Sequence, residues 1–113
     1  MELSLRKADE IYIIDVTGEL DLYNTSQLTE LFQKLMERRV TRVVINMAAV
    51  SYLDSSGVGA LITIYNQVQQ KKIRFAISGV GGSALRVMEL TRLTAYFPMK
   101  ATWEEALESL RNS

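Results

Sequence analysis

Between Val43 and Met47 four residues of five are apolar, and Asn46 is the only interruption. A run this short and uniform has no polar face to turn to water. It reads as a strand over residues 41–47, buried on both sides, and such a strand needs cover on both faces of its sheet. The flanking segments offer that cover. Leu28, Leu31, Phe32, Leu35 and Met36 fall at helical spacing before it. They predict a helix that begins after Asn24, a cap candidate with Gln27 three residues on, and ends near Arg39. Val58, Leu61, Ile62, Tyr65 and Val68 predict a second helix, to about Gln70.

Toward the N-terminus, residues 3–7 read as a short edge strand. Asp9-Glu10 turns the chain into residues 11–16, a β-rich run with Tyr12, Ile14 and Val16 on one face, which Gly18-Glu19-Leu20-Asp21 is expected to break. Beyond the second helix, Ile73, Phe75 and Ile77 alternate with Arg74, Ala76 and Ser78 in a further strand. Gly79-Val80-Gly81-Gly82 then leads to a third helix with Leu85, Val87 and Met88 turned inward. A short strand is expected at residues 95–97, stopped by Pro98. In the last helix Thr102 and Glu105 form a capping box, and Trp103, Ala106, Leu107 and Leu110 make the apolar stripe. Strands separated by helices imply an α/β fold: a mixed, mostly parallel sheet of four to five strands, about four helices and an antiparallel N-terminal hairpin. All 113 residues are expected to form one domain.

Composition narrows the function. Thirteen Lys and Arg balance thirteen Asp and Glu, so the basic excess of a nucleic-acid binder is missing. The cations do gather at Arg38-Arg39-Val40-Thr41-Arg42 and Lys71-Lys72-Ile73-Arg74. Each cluster lies where a helix should end, which suits the negative end of the helix dipole. There is no cysteine and no histidine, which removes the thiol nucleophile, the commonest general base and the commonest transition-metal ligand. With no complete catalytic set, the expectation is a protein that is not an enzyme and needs no cofactor or metal. The N-terminus lacks the apolar core of a signal peptide, and no apolar run approaches the ~20 residues of a membrane span. A soluble, cytoplasmic protein without a membrane partner is expected.

The most informative segment is Val50-Ser51-Tyr52-Leu53-Asp54-Ser55-Ser56-Gly57-Val58-Gly59, which joins the buried strand to the second helix. Unpaired N–H groups and the positive end of the dipole make a helix start hospitable to negative charge, so a serine there is a candidate to carry a phosphate. By local pattern alone, Asp54 or Ser55 as a simple cap is the plainer account. A cap needs only one short polar residue, however, and this turn has three in a row. Gly57 and Gly59 also weaken the helix by roughly 1 kcal/mol each against alanine, which suggests close approach to this surface. Gly79-Val80-Gly81-Gly82-Ser83-Ala84 fits the loose form of a dinucleotide loop, but too little chain follows to complete such a sheet, and a tight turn is the better reading. Asp21 and Asp54 lack the spacing of a catalytic pair, and each lies beside a helix start. Met88, Met99, Tyr96 and Phe97 read as core rather than as an adaptable binding surface.

These motifs, taken together, resemble a known family: the anti-sigma-factor antagonists, built on the STAS domain. The likeness runs along nearly the whole chain. Gly18-Glu19-Leu20-Asp21, Asn46 and the 50–59 segment carry it, with Leu90-Thr91-Arg92-Leu93, Phe97 and Glu105-Ala106-Leu107. The resemblance implies a partner switch. The antagonist binds a serine kinase that otherwise sequesters a sigma factor; the kinase, with ATP and Mg²⁺, phosphorylates the antagonist, and a metal-dependent serine phosphatase reverses this. Carried over by position, the acceptor is Ser55, with Asp54, Ser56 and Gly57 as its motif and Asp21 near the same surface. Leu22 and Tyr23, beside Asp21, are expected to anchor the partner. Where relatives often carry acids before the Val-Ser-Tyr-Leu stretch, this chain has Ala48-Ala49, which bears on the partner's identity rather than on the fold. Two rival readings stand beside this one. One is a scaffold subunit of a sensory complex that does not switch; the other is a small-ligand or nucleotide sensor using the 18–21 and 54–57 loops.

Overall fold

The computed structural model describes residues 1–111. Among them are five strands and four helices, in the order β1 (Glu2–Ala8), β2 (Ile11–Leu20), α1 (Thr25–Glu37), β3 (Arg42–Leu53), α2 (Ser55–Lys71), β4 (Arg74–Ser78), α3 (Gly82–Leu90), β5 (Met99–Lys100) and α4 (Trp103–Arg111). The sheet order follows the chain, β1-β2-β3-β4-β5; β1 runs antiparallel to β2, and each later neighbour pair is parallel. This is the mixed, mostly parallel α/β architecture that the sequence implies.

The β1–β2 hairpin turns on Asp9 and Glu10, at φ 50° and 66°. Two successive left-handed residues match the twist of the strands they join. Burial on both faces of the central strands has a clear cause. α1, α2 and α3 cover one face, where Leu28, Phe32, Leu61, Ile64 and Met88 meet Ile14, Val43, Ile45 and Ile77. α4 covers part of the other, where Ala106, Leu107 and Leu110 meet Ile11, Ile13, Val44 and Ala76. Ile13 is therefore as buried as Ile14, although Tyr12, Ile14 and Val16 alone carry the expected inward face.

The same face carries a polar chain across four strands, with the Arg6 guanidinium 4.3 Å from the centre of the Trp103 ring of α4. Arg6 on β1 donates from Nε to Asp15 Oδ2 at 2.6 Å, and Asn46 Nδ2 donates to Asp15 Oδ1 at 2.8 Å. Ser78 Oγ donates to Asn46 Oδ1 at 3.2 Å, which satisfies the one buried polar residue among those described. Burial pushes the Asp15 carboxyl up, but the Arg6 and Asn46 hydrogen bonds and the Arg6 charge outweigh it and hold the group below its ordinary value.

Three expectations change. Residues 18–20 continue β2 instead of breaking it, through two irregularities in register, at Asp15/Thr17 and Gly18/Glu19. β3 likewise runs on to Leu53, because β2 supplies its hydrogen-bonding partner to the end. The final strand lies after Pro98, not before it. Ile77 N donates to Pro98 O at 2.9 Å and Gly79 N to Lys100 O at 3.1 Å, so Pro98 and Lys100 present carbonyls where β4 needs acceptors. Tyr96 and Phe97 close the turn before it. Phe97 is buried with Met88 as expected, while Tyr96 stays half exposed and donates to Asn66 Oδ1 at 3.0 Å.

Candidate functional site

The carboxyl ends of β2 and β3 lie side by side, with Leu20 paired to Leu53. The loops that leave them therefore emerge together, as loops do at the carboxyl ends of parallel strands. Asp54 joins the two. Its backbone is extended, so it stands at the cap of α2, and its Oδ1 accepts from Gly57 N at 2.9 Å. Its Oδ2 accepts from Leu22 N, in the other loop, at 3.2 Å. One carboxylate thus caps the helix and fixes the neighbouring loop, two tasks that the sequence does not distinguish.

The 20–25 loop is held by its own side chains. Asp21 Oδ1 accepts from Tyr23 N at 2.9 Å. Asn24 Oδ1 accepts from Asp21 N at 2.9 Å, and its Nδ2 donates to Glu19 O at 2.7 Å. Asn24 does occupy the cap position of α1, but its side chain makes no capping bond there. The loop has captured it. With the loop amides paired, Leu22 and Tyr23 project outward at 67% and 89% exposure, two adjacent large side chains open to solvent.

Ser55 is the first residue of α2 and is exposed; Ser56 is half-buried behind it. Among the described residues neither hydroxyl has a hydrogen-bond partner, and neither do their amides, because within α2 Asp54 engages the Gly57 and Val58 amides instead. Two free N–H donors and a free hydroxyl at the positive end of a 17-residue helix form a local anion cradle. Neither residues 11–33 nor residues 43–70 contain a Lys or Arg, so no cation from the two segments that build the site offsets Glu19, Asp21 and Asp54.

The glycines divide. Gly57 is buried, and an added Cβ would lie 2.6 Å from Leu20 O and 2.5 Å from Leu53 Cδ1. The close approach expected there comes from the ends of β2 and β3, so Gly57 supports the site from beneath and is not on its surface. Gly59 is exposed, with open space where its Cβ would be. The structure thus brings Asp21, Leu22, Tyr23, Asp54, Ser55 and Ser56 to one end of the sheet. It adds Tyr52, 46% exposed and paired with Glu19, which strand alternation from buried Leu53 would have revealed. Gly79 has φ 75° and abuts Ala48, the tight turn preferred over a dinucleotide loop. Among the described residues no group of three His, Cys, Asp or Glu could hold a metal, and no helix is long and apolar enough to cross a membrane.

Comparison with known proteins agrees with this geometry. The STAS domain family model matches residues 2–106. The anti-sigma-B factor antagonist of Staphylococcus epidermidis is 32% identical over 85 residues, 75% of this chain and 79% of that one. The crystal structure of an anti-sigma factor antagonist from Mycobacterium paratuberculosis shares the fold with a TM-score of 0.88 at 24% identity, over 97% of this chain and 93% of that one. The Bacillus cell fate determinant SpoIIAA in its phosphorylated form does so with a TM-score of 0.75 at 23% identity, over 96% and 99% of the two chains. The chain belongs to the STAS domain family.

Proposed function

On that membership, we propose that the chain is an anti-sigma-factor antagonist, switched by phosphorylation of Ser55. In this reading it works in the cytoplasm and, unphosphorylated, binds a serine-kinase anti-sigma factor. The observation that carries the proposal is the exposed, unpartnered Ser55 hydroxyl, at a helix start tied by Asp54 to the apolar Leu22–Tyr23 projection. Leu22 and Tyr23 are the anchor, since an exposed aromatic beside an aliphatic gains most from burial against a partner. Gly59 lies four residues after Ser55 and so shares its helix face, where a bare backbone lets a partner approach closely.

The switch follows from charge. The kinase transfers the γ-phosphoryl group of ATP to Ser55 Oγ: a P–O bond forms, the bond to ADP breaks and the hydroxyl proton leaves. The product adds about −1.5 to −2 charge beside Asp54 and Asp21. The fold tolerates it, because the Ser55 and Ser56 amides and the helix dipole favour an anion. A docked partner does not, since the same charge faces its acidic groups and must be desolvated at the rim of the anchor. A metal-dependent serine phosphatase restores the hydroxyl.

The test is incubation with the cognate kinase and ATP–Mg²⁺, followed by peptide mass spectrometry. One phosphate is expected, on Ser55, and none on Ser55→Ala; equal labelling of that variant at Ser56 would overturn the assignment. Ser55→Asp is expected to weaken kinase binding while leaving the thermal melt near that of the parent. Binding as tight as the parent's would remove the electrostatic switch.

A further inference from the structure

We propose that the end of the molecule opposite Ser55 holds a second site, a cavity for a small organic phosphate with an apolar body. The cavity, of about 390 Å³, opens between the C-terminal ends of α1 and α2 and the starts of β3 and β4. That is the size of an ordinary small-ligand pocket. Met36, Val40 and Ile73 supply apolar lining, suited to a ring or branched chain. Arg39, Lys71 and Lys72 line it with positive charge, and Glu37 is the one acid among the described lining residues.

The two basic clusters stand 30 residues apart in sequence, and each alone reads as a helix end. The fold brings Arg39 of one and Lys71 and Lys72 of the other around a single cavity. Arg39 and Lys72 both take left-handed backbone, at φ 58° and 56°, and the next amide reaches back in each case, Val40 N to Leu35 O at 3.3 Å and Ile73 N to Val68 O at 2.9 Å. Arg74 N donates to Thr41 O at 2.8 Å, joining the two connections, so the hollow is preformed.

Dipole compensation explains one or two of these cations, since it fades within the last helical turn. It leaves a surplus. The three cations that line the cavity, Arg39, Lys71 and Lys72, make no ion pair among the described residues. Of the acids at this end, Asp9 and Glu108 pair with Arg111 and Glu10 with Lys7, which leaves Glu37 to offset one of the lining cations. Like charges crowded around an apolar hollow repel one another, and a dianion with an apolar body relieves the repulsion while burying the lining. Ser55 lies at the other end of α2, roughly 25 Å away at 1.5 Å per residue, so this site stands or falls apart from the phosphorylation switch.

The test is a backbone-amide NMR titration of the full chain with 1-naphthyl phosphate, with inorganic phosphate and 1-naphthol as half-probes. Saturable shifts are expected at residues 36–41 and 71–74, with naphthyl phosphate at least tenfold tighter than either half. Lys71→Glu/Lys72→Glu should weaken binding at least tenfold. Arg86→Glu/Arg92→Glu, the same charge change away from the cavity, should leave it within twofold. Should the reversed pair unfold, Lys71→Gln/Lys72→Gln is read instead, with a loss of at least fivefold expected. Shifts spread over the surface or centred on residues 54–58, equal loss in the control pair, or naphthol binding as tightly as its phosphate would each overturn the site. A lipid headgroup offers the same chemistry, so vesicles containing phosphatidylglycerol form a separate arm; tighter binding to vesicles than to the soluble probe would overturn a small-molecule ligand.

Discussion

At the scale of single residues, two glycines in one helix turn out to have opposite reasons. Helix propensity treats Gly57 and Gly59 alike and awards alanine about 1 kcal/mol at each. Their surroundings do not. A methyl group at Gly57 meets the Leu20 carbonyl, which is strand backbone and cannot move aside. We expect Gly57→Ala to destabilise by about 1–3 kcal/mol, the range for overpacking, and Gly59→Ala to stabilise by about 1 kcal/mol. Denaturant melts of the two variants test this, and a gain in both would show that the 20–53 junction is looser than it looks. Asp54 gives the complementary lesson. Its capping bond to Gly57 was legible, because an acid before a helix stripe has one dominant use. Its bond to Leu22, 32 residues away, was not, because no local pattern encodes a contact between loops. Asn24 has the residue type and position of a cap, yet Asp21 N and Glu19 O take its side chain first.

At the scale of elements, helix stripes were the most readable feature and strand ends the least. α1, α2 and α4 follow their apolar periodicity to within two residues, because each stripe is itself the packing surface. β2 and β3 outrun their apolar segments, because a ladder continues as long as a neighbouring strand offers partners. β5, two residues long, has no pattern to read; carbonyls on either side of it satisfy β4. Three helices end alike, with Arg39, Lys72 and Arg92 in left-handed backbone and the following amide bonded back into the helix. Glycine is the usual occupant there, since any Cβ costs about 1 kcal/mol or more in that conformation. Arg92→Gly should therefore stabilise by about 1 kcal/mol, visible as a higher denaturation midpoint at unchanged m-value. A loss of stability would mean that the Arg92 side chain contributes more than its backbone costs.

At the scale of the whole molecule, the Arg6–Asp15–Asn46–Ser78 chain links β1 to β4 and makes stability depend on acid. Burial opposes the Asp15 charge, but hydrogen bonds and the Arg6 charge prevail, so the folded pKa lies below the unfolded value of about 3.9. The stability it contributes is complete above that value and is lost as pH falls through the folded pKa. Thermal melts of the parent and Arg6→Ala should differ more at neutral pH than in acid below the folded pKa of Asp15, where its charge is lost; a constant gap would assign the Arg6 effect to its contact with the Trp103 ring. The ends of the sheet should also separate in binding. Asp21→Ala and Tyr23→Ala should each weaken the kinase partner tenfold or more, and Lys72→Ala should leave it unchanged. Abolition by Lys72→Ala would place the partner at the cationic end and defeat the proposed switch.

The sequence by itself determined the class of fold, since a strand with no polar face must be covered twice and helical stripes lie on either side of it. It also determined that negative charge suits the start of α2, because cap, hydroxyls and dipole are all local. Only the tertiary structure decided what stands beside what. Parallel strands start at one end of a sheet and finish at the other, so the turns that leave β2 and β3 meet around Ser55 while the turns that enter β3 and β4 meet around the cavity. Both gatherings join residues about 30 positions apart, a separation at which the chain carries no periodic signal and only strand register sets the distance.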